Sequence, residues 1–377
     1  MENAVDVQPL ILASSTIDEV NRRLQASLWL RVYVAPTGQA MKNASNFFAV
    51  LFSGGLDCTL IARMIHDIVP KGQVIDLLNV AFENPRVVQA AAKNGADFLE
   101  PVSPYSSCPD RITGLASHAE LTRLCPEREW RFVYVNVPYS ETLSHRSLIE
   151  SLIHPHGTEM DLSIACALYF AARGTGTTKD HFTGLENPHT TSARVLLSGL
   201  GADEIFGGYT RHATAYARRG YPGLVDELEL DFHRLGKRNL GRDDRVISHW
   251  GKEVRYPYLD EELVSWALSL PVWEKCDFGR GKAGDVAEAP VLDPGKKLLR
   301  LLAWKLGLRG AAAEKKRAIQ FGARTAKMES GRTKGTQTFK KSSNILPNAV
   351  ECSNGTLHRR SGNDDTSDTT ESHLNPP

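Results

Sequence analysis

Residues 51–58 read LFSGGLDC and follow the apolar run Phe47, Phe48, Ala49, Val50. A short run of this kind suits a strand buried on both faces. Two glycines directly after such a strand let backbone N–H groups turn inward as an anion nest, and a following helix points its positive end at the same place. That helix is predicted over residues 56–68. The stretch therefore predicts a polyphosphate loop at Ser53, Gly54 and Gly55, with the Ser53 hydroxyl as a further donor. Asp57 would repel a bare phosphate, so its place at the helix start suits a Mg²⁺ ligand. The plainer reading is a glycine-rich turn with Asp57 merely near a helix N-terminus. No GxxxxGK[ST] occurs, which excludes a Walker-type NTPase.

Working outward, strands are predicted at 74–82, 130–137 and 194–197, and helices at 86–94, 147–153 and 160–173. Strands separated by helices imply parallel pairing with both faces covered, a doubly wound α/β sheet. From 209 to 270 the pattern turns helical, with Leu224, Leu228, Phe232 and Leu235 at helix spacing, and a further helix is predicted from about 296 to 306. The run Gly279-x-Gly281-x-x-Gly284 follows no strand and reads as a surface loop, not a dinucleotide site. Three regions are expected: an N-terminal linker helix within 1–46, the α/β domain over 47–330, and a disordered polar tail over 331–377. The tail has too few large apolar residues to order itself.

Composition narrows the function classes. The chain has 377 residues, 41% of them hydrophobic, enough for a substantial core. Lys plus Arg number 45 against 44 Asp plus Glu, so no overall field favours nucleic acid or an acidic partner. Six scattered cysteines form no CxxC pair, which argues against a zinc ribbon or disulfide framework and for a reduced, cytoplasmic setting. No apolar run approaches the roughly 20 residues needed to cross a bilayer, so no membrane partner is expected.

Four segments occur in a fixed order: SGGLD at 53–57, LLSGLGADEIFGGYTRH at 196–212, EVRYPYLDEELV at 253–264 and KKRAIQFGARTAK at 315–327. Together they resemble the asparagine synthetase family, whose synthetase part is an ATP pyrophosphatase. With RLCPEREWRFVYVNVPY at 123–139 they are most similar to its domain-containing branch. The resemblance implies an AMP-forming C–N ligase with ATP and Mg²⁺ as cofactors: a carboxylate such as aspartate is adenylated, and ammonia then displaces AMP. It places pyrophosphate and Mg²⁺ on Ser53, Gly54, Gly55 and Asp57, adenine between Phe52 and Val80, and further nucleotide contacts on Ser198 and Gly199. Asp203 becomes a second metal carboxylate. Lys316, or failing it Lys315, would neutralise charge building on the α- and β-phosphates. The bland alternatives are a helix cap for Asp203 and Glu204, a solvated Lys316, and a structural ion pair for Arg255 and Glu253.

Three positions depart from the family. Cys58 stands where a serine is usual, and Leu200 stands where authentic synthetases carry a glutamate that serves amidation. Glu2, not the glutaminase cysteine, follows Met1. By family the chain groups with the glutamine amidotransferases, yet glutamine hydrolysis is not expected of it. Ammonia would come from solution or from a protein partner replacing the glutaminase domain. Three functions remain open: an ammonia-dependent synthetase making asparagine, a silenced nucleotide-binding or scaffold protein that keeps the fold, or adenylation of some other carboxylate or a cyclisation that retains Asp57, Asp203 and Lys316.

Overall fold

The computed structural model describes residues 10–33, 47–93, 103–180, 183–279, 292–328 and 335–338. In chain order they form α1 (Ser15–Tyr33), β1 (Phe48–Leu51), α2 (Leu56–Ile68), β2 (Ile75–Phe82), α3 (Pro85–Lys93), α4 (Pro109–Leu124), β3 (Trp130–Val137), α5 (Tyr139–Leu152) and α6 (Glu159–Arg173). The hairpin β4 (Thr175–Lys179) and β5 (Glu186–Thr190) follows, then β6 (Val195–Leu197), α7 (Ala202–Phe206), α8 (Thr210–Leu235), a π turn at Gly236–Leu240 and α9 (Gly241–Ser248). The last elements are β7 (Glu253–Arg255), α10 (Glu261–Ser269), α11 (Lys297–Lys305), α12 (Arg309–Ala313) and α13 (Ile319–Gly322).

The seven strands lie in one sheet in the order β5-β4-β3-β2-β1-β6-β7. From β3 to β7 every pairing is parallel. The expectation of a wholly parallel sheet needs correction at one edge, where β4 and β5 run antiparallel. These two strands read TGTTK and ENPHT and are mostly exposed, so no apolar pattern announces them. An antiparallel hairpin needs no covering helices, and these polar strands blunt the sheet edge.

Alternate residues of the central strands feed opposite layers, as the period of two requires. Phe48, Val50, Ile75, Leu77, Phe132 and Val195 pack with α1, α2, α11 and α12. Ala49, Leu78, Val80, Val133, Val135 and Leu196 pack with α5, α6 and α9. α1 is part of the first layer, with Ile17, Val20, Leu24, Leu28 and Val32 fully buried. Each such side chain stabilises by about 1.5–3 kcal/mol before the entropy of ordering is subtracted. Ser27 Oγ also donates to Pro257 O at 2.6 Å, and Arg31 pairs with Asp260 at 2.9 Å, fastening α1 to the third motif. Arg255 pairs with Glu253 and donates to Arg31 O, which fits the structural reading of that pair.

α4 escapes a search for apolar periodicity because its inner stripe is polar: Asp110, Arg111, Gly114 and Ser117 are buried ahead of Leu121. Most of the expected tail, and the residues after Gly279 in its glycine run, lie outside the described residues. Within that tail, residues 335–338 meet the start of α6, where Met160 N donates to Gly335 O and Glu159 N to Gln337 O, both at 3.0 Å. Carbonyls of the chain thereby satisfy two of the free N–H groups of that helix end.

Candidate nucleotide site

β1 and β6 are neighbours, and the chain reverses its direction across the sheet between them. Open α/β sheets bind ligands just outside the carboxyl ends of strands at such a point. Both glycine-rich motifs leave their strands here. Gly54 has φ +81°, and a Cβ on it would lie 2.4 Å from Gly114 N, so only glycine lets the loop rest on α4. Ser117 Oγ holds that loop by donating to Gly54 O at 2.7 Å. Gly199, in the second motif, comes so close to the first that a Cβ would lie 2.9 Å from the Cβ of Asp57.

This contact brings the charged groups of distant segments together. Lys296 Nζ lies 2.8 Å from both carboxylate oxygens of Asp57 and 2.9 Å from Asp203 Oδ1. Lys316 Nζ donates to Asp203 Oδ2 and lies 5.2 Å from the Tyr209 ring centroid. Burial alone would raise the Asp203 carboxyl, but the Lys296 and Lys316 charges outweigh it and hold it well below the usual carboxylate range. Burial would likewise lower Lys296, and Asp203 and Asp57 instead raise it above the usual lysine value. α7 starts at Ala202 with Gly201 as its N-cap and no side-chain cap, so Asp203 serves the lysines instead of the helix end.

The motifs enclose a cavity of about 390 Å³. Phe52, Ser53, Gly55, Asp57, Val80, Ser198, Gly199, Asp203, Lys315 and Lys316 all line it. Gly54 is turned toward α4 instead. The Phe52 ring packs edge-on against Phe132 at 6.3 Å within the core. Sequence reasoning missed Lys296, Arg300 and Asp110, which line the same cavity. It also passed over the far wall, where Arg234, Arg238 and Arg242 recur every four residues across the π turn. Arg242 is committed to Asp161 and Asp243, both nearby.

Cys58 is buried at the cavity edge, 3.6 Å from Ser53 Oγ, and its thiol donates to Gly55 O at 3.4 Å. Burial pushes that thiol up, so it stays protonated and a weak donor. Cys58→Ser is expected to lower the Kd for ATP about tenfold or more, the effect of a hydrogen bond to a charged group. Calorimetric titration reads this directly, and an unchanged Kd would mean that the hydroxyl stays on Gly55 O.

The residues fit Mg²⁺ and a polyphosphate on structural grounds. Asp203 Oδ1 is buried, and it has no aligned hydrogen-bond donor despite its closeness to Lys296. With Asp57 it offers hard oxygen ligands of the kind Mg²⁺ takes. Lys316, Lys315 and the N-terminal end of α2 offer the complementary positive charge for phosphates.

Comparison with known proteins gives the family. A family model described as asparagine synthase matches residues 185–226 and 218–284. An asparagine synthetase domain-containing protein 1 of Bos taurus is 41% identical over 312 residues, covering 76% of this chain and 47% of that protein. The chain belongs to the asparagine synthetase domain-containing family. A Drosophila melanogaster member is 42% identical over 285 residues, covering 74% of this chain and 44% of its own length. The chain thus spans about half the length of the curated relatives it matches. An asparagine synthetase [glutamine-hydrolyzing] of Sandersonia aurantiaca matches over only 94 residues at 36% identity, 23% of this chain and 17% of that protein. Grouping the chain with the glutamine amidotransferases is overturned, since the family model matched is that of asparagine synthase and no glutaminase domain is detected. No helix among the described residues is long and apolar enough to cross a membrane.

Proposed function

We propose that the cleft binds ATP with Mg²⁺ through the synthetase-type phosphate apparatus and has lost the aspartate-amidation half of the family reaction. Leu200 carries this reading. It lines the cavity between Gly199 and Gly201. A leucine there can neither take a proton from ammonium nor orient ammonia. Glu204 also lines the cavity, where its Oε1 accepts from Tyr209 OH at 2.6 Å and its buried Oε2 has no hydrogen-bond partner. Phosphate binding is supported by the convergence of Asp57, Asp203, Lys296 and Lys316 on one point.

A second reading, adenylation of some other carboxylate, is favoured by Lys316 and by the far wall. Bound ATP would supply the α-phosphorus to which a carboxylate oxygen bonds as pyrophosphate leaves. Lys316 would stabilise the charge that moves onto the leaving pyrophosphate. Arg234 and Arg238 form no ion pair among the described residues, and they would suit an acid bearing a second negative group.

The test combines ATP binding with exchange of labelled pyrophosphate into ATP, run with aspartate and a panel of mono- and dicarboxylates. Magnesium-dependent ATP binding is expected without asparagine release from aspartate and ammonia, whether or not aspartate supports exchange. Aspartate-dependent exchange followed by asparagine release from ammonia would overturn the proposal. Exchange with another acid, abolished in Lys316→Ala, would favour the second reading.

A further inference from the structure

Lys296 has an unusual setting. It lies directly before α11 with φ 55° and ψ 35°, a left-handed conformation for a residue with a Cβ. It is also only 3% exposed. A strained backbone and a buried charge are both costly, and they persist where the surroundings over-determine them. Here Lys296 N donates to Phe206 O at 3.1 Å, and Arg300 Nε donates to Gly295 O at 2.9 Å, fixing the chain on both sides. The result is one ammonium held within 2.9 Å of three carboxylate oxygens from Asp57 and Asp203.

Those are the two carboxylates that a divalent cation in this cleft would need. Mg²⁺ demands oxygens at about 2.0–2.1 Å and near-octahedral geometry, so it cannot share the focus of the pair with a buried ammonium. Asp203 Oδ1, 2.9 Å from that ammonium, is taken up by an ion pair as long as Lys296 stays in place.

We infer that Lys296 is a resident cation that keeps the Asp57–Asp203 pair from holding a divalent ion by itself, so that the cleft admits the metal only with a polyphosphate. The polyphosphate part rests on the reading given under Proposed function. An arriving polyphosphate supplies oxygens on which the ammonium can re-pair and adds ligands for the metal. The two carboxylates are then released to the incoming ion. Lys296 thereby sets an order of binding, and its influence is on metal occupancy before any chemistry.

The test is binding of Mn²⁺, followed by electron paramagnetic resonance, to nucleotide-free protein. Wild type is compared with Lys296→Met and Lys296→Gln, with folding checked by near-UV circular dichroism. Both variants are expected to bind Mn²⁺ about tenfold more tightly than wild type, because removal of the ammonium leaves the half-buried Asp57 without its partner and Asp203 paired with Lys316 alone. Adding Asp57→Asn to Lys296→Met is expected to abolish that gain. Equal affinity of wild type and the folded variants would overturn the inference. Should both variants fail to fold, the wild type decides: Mn²⁺ retained equally with and without inorganic pyrophosphate overturns the inference, and retention only with pyrophosphate supports it. Absence of pyrophosphate-assisted retention, with a gain in the variants, counts against the polyphosphate reading and leaves the resident cation standing.

Discussion

Arg300→Leu is expected to destabilise the fold by about 4 kcal/mol or more and to weaken ATP binding about tenfold. Arg300 is 1% exposed, the largest fully buried side chain of the described residues. Its guanidinium donates to three carbonyls: Gly295 O at 2.9 Å, Ala312 O at 2.7 Å and Glu314 O at 2.8 Å. Two of these carbonyls adjoin the lysines of the site, since Gly295 precedes Lys296 and Glu314 precedes Lys315 and Lys316. A single planar fork thus ties the start of α11 to the lysine loop. Hydrogen bonds from a charged donor contribute about 1.5–3 kcal/mol each, and leucine would leave three buried acceptors unpaired. Arg300→Lys is expected to restore little, because an ammonium is a point donor without the fork geometry. Urea unfolding gives the stability, and calorimetric titration gives the affinity. A loss below about 1 kcal/mol, or full recovery with lysine, would show that the loop is held elsewhere.

The contrast between what the sequence reveals and what it hides follows from how each group is buried. Asp57 and Asp203 stand directly after strand-and-glycine signals, so their place at the sheet's switch point was legible. Lys316 was legible only through the resemblance, since a basic run normally marks a solvated face. Lys296 and Arg300 were hidden inside KKLLRLL, which reads as an ordinary helix start. Lys296 stands just outside the helix in a left-handed conformation that no periodicity signals, and Arg300 lies on its inner side. Leu298, Leu299, Leu301 and Leu302 are buried as well. A helix buried nearly all round gives its basic residues no solvent to face. α4 failed the same search for the opposite reason, since the inner stripe that touches the glycine loop at Gly54 is polar. The front half of α5 was missed too, because Thr142 is its one buried residue ahead of Ile149.

That polar stripe carries the second large effect. Asp110 sits in the first turn of α4, 7% exposed, with its backbone carbonyl accepting from Asn79 Nδ2 at 2.9 Å. Its carboxyl faces the cavity, close beside Gly322 and 3.8 Å from the Arg317 guanidinium. Burial pushes it up to about 7, with Arg317 and Lys316 opposing and Glu314 adding to the rise. The unfolded chain ionises it near the ordinary 3.8, so between those values the native state binds the extra proton. Stability therefore falls as pH rises from about 4 to about 7 and is level above that, a loss of about 4 kcal/mol if the whole rise is realised. Asp110→Asn, which is neutral throughout, is expected to match wild type near pH 4 and to exceed it by up to about 4 kcal/mol at pH 8. The difference between the two proteins isolates this group from every other titration, because all the others are common to both. Urea unfolding of each protein from pH 4.5 to 8 measures it. Parallel curves would mean that Arg317 already keeps Asp110 ionised across the range, and the carboxyl would then count as a fixed negative charge of the cleft.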